Sequence, residues 1–160
     1  MAADYGGIIA GVYSALAGAS SVTSLLASYT PDGGTASQAN SIFVGNPPKD
    51  RAFPCITLLD LSVGPALRRL HEAPYKYAAM QVQIDVWCVS EDGRPITWAI
   101  DKLLEYAFQQ GAMDTTDWLF KDIDTSDAWR KISVPSEYVS GSEGIFQHSK
   151  TFQVLAASKN

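Results

Sequence analysis

The sequence predicts an α+β fold, in which two main helices pack on one face of a mainly antiparallel sheet. Two stretches predict it most directly: residues 77–89 alternate between apolar and polar side chains, as strands do, and apolar residues recur at helical spacing over residues 95–110. The predicted order of elements is helix, two strands, strand, helix and three strands. Of the 160 residues, 46% are hydrophobic, which is enough for the core of a single domain spanning residues 1–160.

The N-terminal residues 5–28 predict a helix with a break at Gly18. Glycine suits the C-terminal cap of one helix, and Ser20 or Ser21 suits the N-cap of the next. The apolar stripe of the first helix consists of Ile9, Val12, Tyr13 and Leu16, and that of the second consists of Val22, Leu25 and Leu26. The residues that follow, 29–40, are mostly small or polar and predict a loop.

Two strands are predicted next, a short one at 41–45 and a second at 55–63. The second has apolar residues on both faces, which indicates that it is the more deeply buried. The segment 64–76, which connects it to the following strand, is the most basic part of the chain. The side chains that make it basic are Arg68, Arg69, His71 and Lys76. Two interpretations stay open: a solvated loop, or an arm that contacts an acidic neighbouring subunit.

The strand predicted at 77–89 has one apolar face and one polar face. On the apolar face we expect Met80, Val82, Ile84, Val86 and Cys88, and on the polar face Gln81, Gln83 and Asp85, with Trp87 at the far end. The apolar face predicts contact with the core. Because the strand is central to the predicted fold, its polar face must meet water, a partner or a lumen.

The second main helix is predicted at about 95–110. Pro95 suits its first turn, and Gly111 suits its end. Its apolar residues are Ile96, Ala99, Ile100, Leu103, Leu104, Ala107 and Phe108, and its wet face carries Lys102, Glu105 and Gln109. This spacing predicts a helix with one buried face.

The last third of the chain predicts three strands. Two short strands at 118–123 and 128–134 are expected to flank a turn, because the intervening residues 124–127 are Asp, Thr, Ser and Asp. A closing strand at 145–157 alternates again. One face carries Phe146, His148, Lys150, Phe152 and Val154, and the other carries Ile145, Gln147, Ser149, Thr151 and Gln153.

Charge and cysteine content narrow the class of protein. The net charge of −5 argues against a general nucleic-acid binder, which needs a basic surface. Cys55 and Cys88 each lie in or beside an apolar strand-like run, so we expect two buried reduced thiols, and a disulfide between them is the alternative. The N-terminus does not resemble a signal peptide, and no uninterrupted apolar run is long enough to span a bilayer.

No pattern in the chain predicts catalysis, a cofactor or a metal. His71 and His148 do not form a cluster with metal-ligand spacing, and a lone histidine on an alternating strand, such as His148, is expected at the surface or half-buried. No serine lies in a nucleophile elbow. The aspartates between 114 and 127 are expected in solvated turns. The tryptophans, Trp87, Trp98, Trp118 and Trp129, are expected to be core residues or interface anchors. The residues alone therefore indicate a binding or structural module.

Four segments, in this order, resemble the tail completion or tail terminator proteins of long-tailed bacteriophages, prophages and gene transfer agents. They are IIAGVYSALAGASSVTSLLAS, SIFVGNPPKDRAFPCITLLDL, MQVQIDVWCVSEDGRPITWAIDKLLEYAF and GIFQHSKTFQVLA. The chain departs from a typical member in a longer loop at 29–40 and in an additional stretch around 112–127.

The resemblance implies a virion structural protein without catalysis, cofactor or metal. It implies a ring of six copies at the head-proximal end of the tail tube, assembled in the host cytoplasm, which stops tube growth and joins tail to head. The implied partners are other copies of the chain, the tail tube protein and a head connector or neck protein, with no membrane involved. DNA would pass through the lumen without specific binding, and the face with Gln81, Gln83 and Asp85 would line that lumen or meet a neighbour.

Other classes remain as alternatives. Another virion part of similar build, a head-side neck protein or a tail tube subunit, is the main one. A tube subunit would polymerise into long cylinders, whereas a terminator would stop at a closed ring. A cellular binding module and an enzyme fit the sequence less well, because an enzyme would need a polar pocket with a perturbed titratable group.

Overall fold

The computed structural model describes residues 6–28, 41–46, 53–65, 77–88, 94–132 and 145–158. The elements are α1 (Gly6–Gly18), α2 (Ser20–Ser28), β1 (Ile42–Val44), β2 (Cys55–Pro65), β3 (Tyr77–Cys88), α3 (Arg94–Gln110), β4 (Trp118–Ile132) and β5 (Ile145–Ser158). The strands form one sheet in the order β1-β2-β3-β5-β4, in which β1 runs parallel to β2 and the other pairs are antiparallel. The predicted α+β class with a mainly antiparallel sheet is confirmed.

The core lies between the three helices and one face of the sheet. Strand β3 supplies the centre of that face, as its alternation predicted, with Met80, Val82, Ile84 and Val86 each 2% exposed or less. The helices bury Ile8, Leu16, Val22, Leu26, Ile96, Ile100 and Leu104 against it. Burying apolar surface in this way is the main favourable term in folding.

Helix α3 follows its predicted pattern closely. Its apolar positions pack on the sheet, whereas Lys102, Glu105 and Gln109 are exposed. Gly111 ends it in the left-handed conformation, with a φ of 69°, which residues with a Cβ rarely adopt.

Of the stripe predicted for helix α1, Val12 and Leu16 are confirmed as buried and Ile9 packs against the core from a partly buried position, whereas the prediction for Tyr13 is wrong. Ile8 is fully buried, whereas Tyr13 is 37% exposed. Gly11 lies on the buried side of the helix, where a Cβ would lie 2.3 Å from the carbonyl oxygen of Met113. A side chain with a Cβ would not fit so close to another backbone segment, and hydrophobic spacing alone does not report such a contact.

The turn predicted at 124–127 is wrong, because β4 runs through it as one continuous strand. Asp124 pairs with Gln153 and Asp127 pairs with Lys150 in an unbroken register with β5. The irregularity in this pair lies earlier, between Phe120 and Asp122. Cross-strand hydrogen bonds outweigh the turn preference of these residues, so the described ranges form a sheet of five strands instead of the expected six.

Strand β2 is buried on both faces at its start. Cys55, Ile56, Thr57 and Leu58 are each 2% exposed or less, which confirms the prediction there. Its pairing with β3 then shifts between Asp60 and Ser62, and Leu61 is 51% exposed. The bulge therefore marks where the strand leaves the core.

The two cysteines are buried and do not form a disulfide, as expected. Cys55 is the register partner of Trp87, the residue before Cys88. Because neighbouring residues of a strand point to opposite faces, the two thiols belong to opposite faces of the sheet. Within the described ranges, no single helix is long and apolar enough to span a membrane; α1 and α2 meet that criterion only as a pair bent by 62°.

Candidate assembly surfaces

The sheet face away from the helices carries a hydrogen-bonded polar cluster. Asp85 lies beside Thr57 of β2 and Ser149 of β5 in the sheet register. Its carboxylate accepts hydrogen bonds from Gln83 Nε2, at 2.9 and 2.8 Å for the two oxygens, and from the hydroxyl of Ser149. The contact with Ser149 ties β3 to β5 through side chains in addition to the backbone hydrogen bonds of the sheet.

The three polar residues predicted on β3 do share this face, but they differ in exposure. Gln81 is exposed and Gln83 is partly buried, whereas Asp85 is only 1% exposed. Asp85 is thus enclosed within the subunit, and of the three predicted residues Gln81 and Gln83 are the ones that a lumen or a neighbour could contact. Sequence alternation identifies the face but not which of its members are covered.

The same face continues towards the end of β3 with further buried polar atoms. The indole Nε1 of Trp87 donates a hydrogen bond to Thr57 Oγ1 at 2.9 Å. Thr57 and Gln147 are each 2% exposed. Buried polar side chains of this kind are expected to be hydrogen-bonded, and the Trp87–Thr57 contact joins β3 to β2.

A second polar contact region lies on the other side of the sheet, beneath α3. Thr97 Oγ1 lies 2.7 Å from His148 Nδ1, and Asp101 forms an ion pair with Lys150. His148 is 7% exposed, so the expected surface or half-buried position is wrong. His148 lies on the same face of β5 as Phe152 and Val154, which are in the core. This shared face is the signal in the sequence that indicates its burial.

A groove of about 470 Å³ lies between α2 and α3. It is lined by Ser21, Leu25, Pro95, Trp98, Ala99, Lys102, Leu103 and Tyr106. Trp98 and Tyr106 are 60% and 62% exposed. Large aromatic side chains on a surface are typical of interface anchors.

The three tryptophans whose side chains the structure describes occupy different environments. Trp118 is a core residue at 2% exposure, Trp87 is half-buried and Trp98 lies on the surface. The side chain of Trp129 lies outside the described residues. Of the two environments predicted for tryptophan, the core is confirmed for Trp118, and Trp98 has the exposure that an interface anchor needs.

The arm residues Arg68, Arg69 and His71 also lie outside the described residues, so their interface role stays a prediction. Among the residues that the structure does describe, no group of three or more His, Cys, Asp or Glu side chains is arranged to hold a metal ion. Asp114, one of the aspartates expected in a turn, accepts a hydrogen bond from the backbone N–H of Phe120 at 2.9 Å. This hydrogen bond stabilises the turn between α3 and β4.

Comparison with known proteins identifies the family. The sequence model of the family described as "Tail completion protein gp17" matches residues 10–134, which is more than half of the chain. The chain belongs to this tail completion family. It is accordingly a structural protein of the bacteriophage tail or neck, which acts in virus assembly.

One solved structure supports the fold of the tail completion protein. The chain is similar to a chain of a structure described as "Virion of native gene transfer agent (GTA) particle", with a TM-score of 0.62 and 12% identity. The similarity covers 98% of this chain and 99% of that chain. None of the curated proteins compared matches the sequence. At this identity the likeness shows a shared fold.

Proposed function

We propose that the protein is a tail terminator. Six copies form a ring at the head-proximal end of the tail tube, where the ring stops tube growth and joins the tail to a head connector or neck protein. The observation that carries this proposal is the match to a tail completion family over residues 10–134. The protein is proposed to act within the virion as a structural component, without catalysis, a cofactor or contact with a membrane.

The architecture supports a ring subunit in a specific way. One face of the sheet is covered by the helices, so its apolar side chains are buried within the subunit. The other face presents polar side chains, including exposed Gln81 and partly buried Gln83. A subunit whose apolar sheet face is covered by helices can turn the other face towards a lumen or a neighbour without exposing its core.

The lumen hypothesis depends on charge. The chain has a net charge of −5, and an acidic wall would repel DNA phosphates and let the genome pass without adhering. Asp85 belongs to the polar face, but it is buried. It can therefore contribute to the electrostatic potential in the lumen but cannot contact DNA directly. The exposed Gln81 is therefore the position where an added positive charge tests the hypothesis.

The basic segment offers a second, independent hypothesis. We propose that Arg68, Arg69 and His71 contact an acidic neighbouring subunit or the tube. Replacing both arginines with alanine should leave the monomer folded but weaken assembly, and the loss should resemble the effect of added salt on the wild type. Unchanged assembly of that variant at both low and high salt would leave the segment as a solvated loop.

Electron microscopy tests the proposed function directly. Negatively stained samples of the purified protein, alone and mixed with tail tubes of its own phage, are compared. Rings that cap one end of tubes, with tubes no longer than at the time of addition, support a terminator. Long cylinders formed by the protein alone identify a tube subunit instead, and rings that bind heads but not tubes identify a neck protein. Absence of any association with tubes or heads would overturn the proposal.

A further inference from the structure

We propose that the groove between α2 and α3 of one copy binds a surface on β1 and β2 of the next copy, the bulge surface, which consists of Val44, Asp60 and Leu61. This inference rests on the proposed ring and assigns the contact between neighbouring subunits. A ring of more than two copies is built from heterologous contacts, so every subunit must present two different surfaces that fit each other. The groove offers an apolar surface with a cation, and the bulge surface offers an apolar surface with an anion.

Exposed apolar side chains concentrate on these two surfaces. Among the large hydrophobic side chains that the structure describes, four are more than half exposed: Val44, Leu61, Trp98 and Tyr106. The two aromatic ones line the groove, and the two aliphatic ones belong to the bulge surface. Groups of exposed apolar side chains are typical of surfaces that a partner covers.

Helix α3 forms the exposed wall of the groove. Trp98, Lys102 and Tyr106 follow one another at four-residue spacing and therefore share one side of the helix. Leu25 and Leu103 line the groove from partly buried positions against the core. Tryptophan and tyrosine supply much of the affinity of an interface when they become buried, so an apolar side chain of the neighbouring copy is a suitable occupant.

The bulge surface lies where β2 leaves the core. The pairing of β2 with β3 shifts between Asp60 and Ser62, and both Asp60 and Leu61 are exposed there. Val44 of β1 is the register partner of Leu58, two residues before Asp60. A bulge bends its strand and changes the direction of the side chains beside it, which makes Leu61 available to a partner although the start of the strand is buried.

The charges of the two surfaces are complementary. Lys102 is the charged residue among those that line the groove. Asp60 is the one charged residue within residues 41–46 and 53–65, the described ranges that contain β1 and β2. Both side chains are exposed, and each lies beside exposed apolar side chains. A contact between Lys102 and Asp60 therefore favours groove against bulge surface, whereas groove against groove would bring two lysines together.

The two surfaces also belong to opposite ends of the strand order. Helix α3 packs against β4 and is joined to β5 by the contact between Thr97 and His148. Strands β1 and β2 stand at the other end of the sheet. Copies that follow one another round a ring need their two contact surfaces on different sides of the subunit, and this placement meets that need.

Charge reversal tests the contact in the full-length protein. Lys102→Glu reverses the charge of the groove, and Asp60→Lys reverses that of the bulge surface. Electron microscopy measures the protein concentration at which half of the tail tubes carry a ring at one end. Each variant alone should need at least about 10-fold more protein than the wild type, because every contact in its ring places like charges together.

Mixing the two variants gives the sharper readout. Every contact between a Lys102→Glu copy and an Asp60→Lys copy joins opposite charges, in either order around the ring. An equimolar mixture should therefore cap tubes within about 3-fold of the wild-type concentration. The rings should contain equal numbers of the two variants, counted by native mass spectrometry with one variant labelled with heavy nitrogen. A mixture that caps tubes no better than its components would overturn the inference.

Matched controls separate assembly from folding. Gln109→Glu adds a negative charge at an exposed position of α3 outside the groove, and Thr116→Lys adds a positive charge at an exposed position outside both surfaces. Both should cap tubes as the wild type does. The melting temperature of every variant is compared with that of the wild type. Where a charge reversal lowers it, Tyr106→Ser replaces the groove variant and Leu61→Ser the bulge variant, and each should still raise the protein concentration needed.

The outcomes distinguish this inference from the proposed function. Normal capping by both charge variants would overturn the contact and leave the terminator function standing. Loss of capping by Lys102→Glu but not by Asp60→Lys would assign the groove to a different partner surface and would also overturn the inference. If the wild type forms no rings with or without tubes, the proposed function fails and this inference fails with it.

Discussion

The two faces of the β3–β5 pair bury polar side chains in different ways. Towards the helices, Lys150 and His148 of β5 meet Asp101 and Thr97 of α3, so the polar contacts join a helix to the sheet. On the opposite face, Asp85 is held by groups from the sheet itself. The first arrangement helps to fix where α3 lies on the sheet, whereas the second reinforces strand register that backbone hydrogen bonds already set.

The difference also bears on how much each face contributes to stability. A buried hydrogen bond or ion pair adds little net stability when intact but is costly to break, because its partner is left buried and unsatisfied. On the helix side, apolar contacts surround the polar pairs and carry most of the folding free energy. Among the side chains that the structure describes, the opposite face has fewer apolar ones, so its stability depends more on keeping each polar group satisfied.

The largest expected effect is the loss of an apolar side chain on the helix side. Phe152 is 1% exposed, and Phe152→Ala should lower the free energy of unfolding by about 4 kcal/mol, since it leaves a cavity in the core. The adjacent exposed Gln153, on the opposite face, is the control, and Gln153→Ala should change stability by less than about 0.5 kcal/mol. Urea unfolding measures both. Equal losses would show that the core is not confined to the helix side.

The sequence predicts some elements of the fold better than others. Strand β3 and helix α3 were predictable because their apolar residues follow one period without interruption. Strand β4 was not, because Asp124 and Asp127 favour turns in isolation and remain in a strand through pairing with β5, about 25 residues away along the chain. Local preference fails where the deciding contact is distant in sequence.

The candidate surfaces show the same limit. Alternation placed Gln81, Gln83 and Asp85 on one face, but the burial of Asp85 depends on Ser149, which lies 64 residues further on. The exposure of Trp98 and Tyr106 depends on where α2 packs beside α3. Their spacing on α3 was visible in the sequence, whereas the position of α2 was not. The family, by contrast, was recognisable from the order of the segments and is confirmed.

The second prediction concerns the polar cluster on the opposite face. Asp85→Ala should cost about 2 kcal/mol of unfolding free energy, because the hydroxyl of Ser149 and the amide of Gln83 lose their acceptor. Ser149→Ala, made alone and together with Asp85→Ala, completes a double-mutant cycle. A coupling of at least about 0.5 kcal/mol is expected for a direct contact. Strict additivity would mean that the two residues do not depend on each other.

A smaller effect is expected from the ion pair beneath α3. The side chain of Lys150 is 10% exposed and that of Asp101 is 34% exposed, so water screens the pair from one side. Asp101→Ala should therefore cost about 1 kcal/mol, which lies between the values for surface and buried pairs. Glu105→Ala, at an exposed position one turn further along α3, should have no measurable effect on the melting temperature. If Asp101→Ala lowers the free energy of unfolding as much as Phe152→Ala does, this ion pair contributes most of the free energy that holds α3 on the sheet.

The smallest effect on stability, and the one most informative about function, is expected at Gln81. Because Gln81 is exposed on the polar face, Gln81→Lys should change the free energy of unfolding by less than about 0.5 kcal/mol. If this face lines the lumen, each copy in the ring adds a cation that attracts DNA phosphates, and ejection should slow in phage whose tails assemble normally. Gln109→Lys makes the same substitution at an exposed position of α3, on the helix side, and should leave ejection unchanged. If the two variants eject DNA at the same rate, the polar face does not line the lumen and instead meets a neighbouring subunit or water. If only Gln81→Lys slows ejection, the two faces of the sheet have separate functions, one in folding and one in DNA passage.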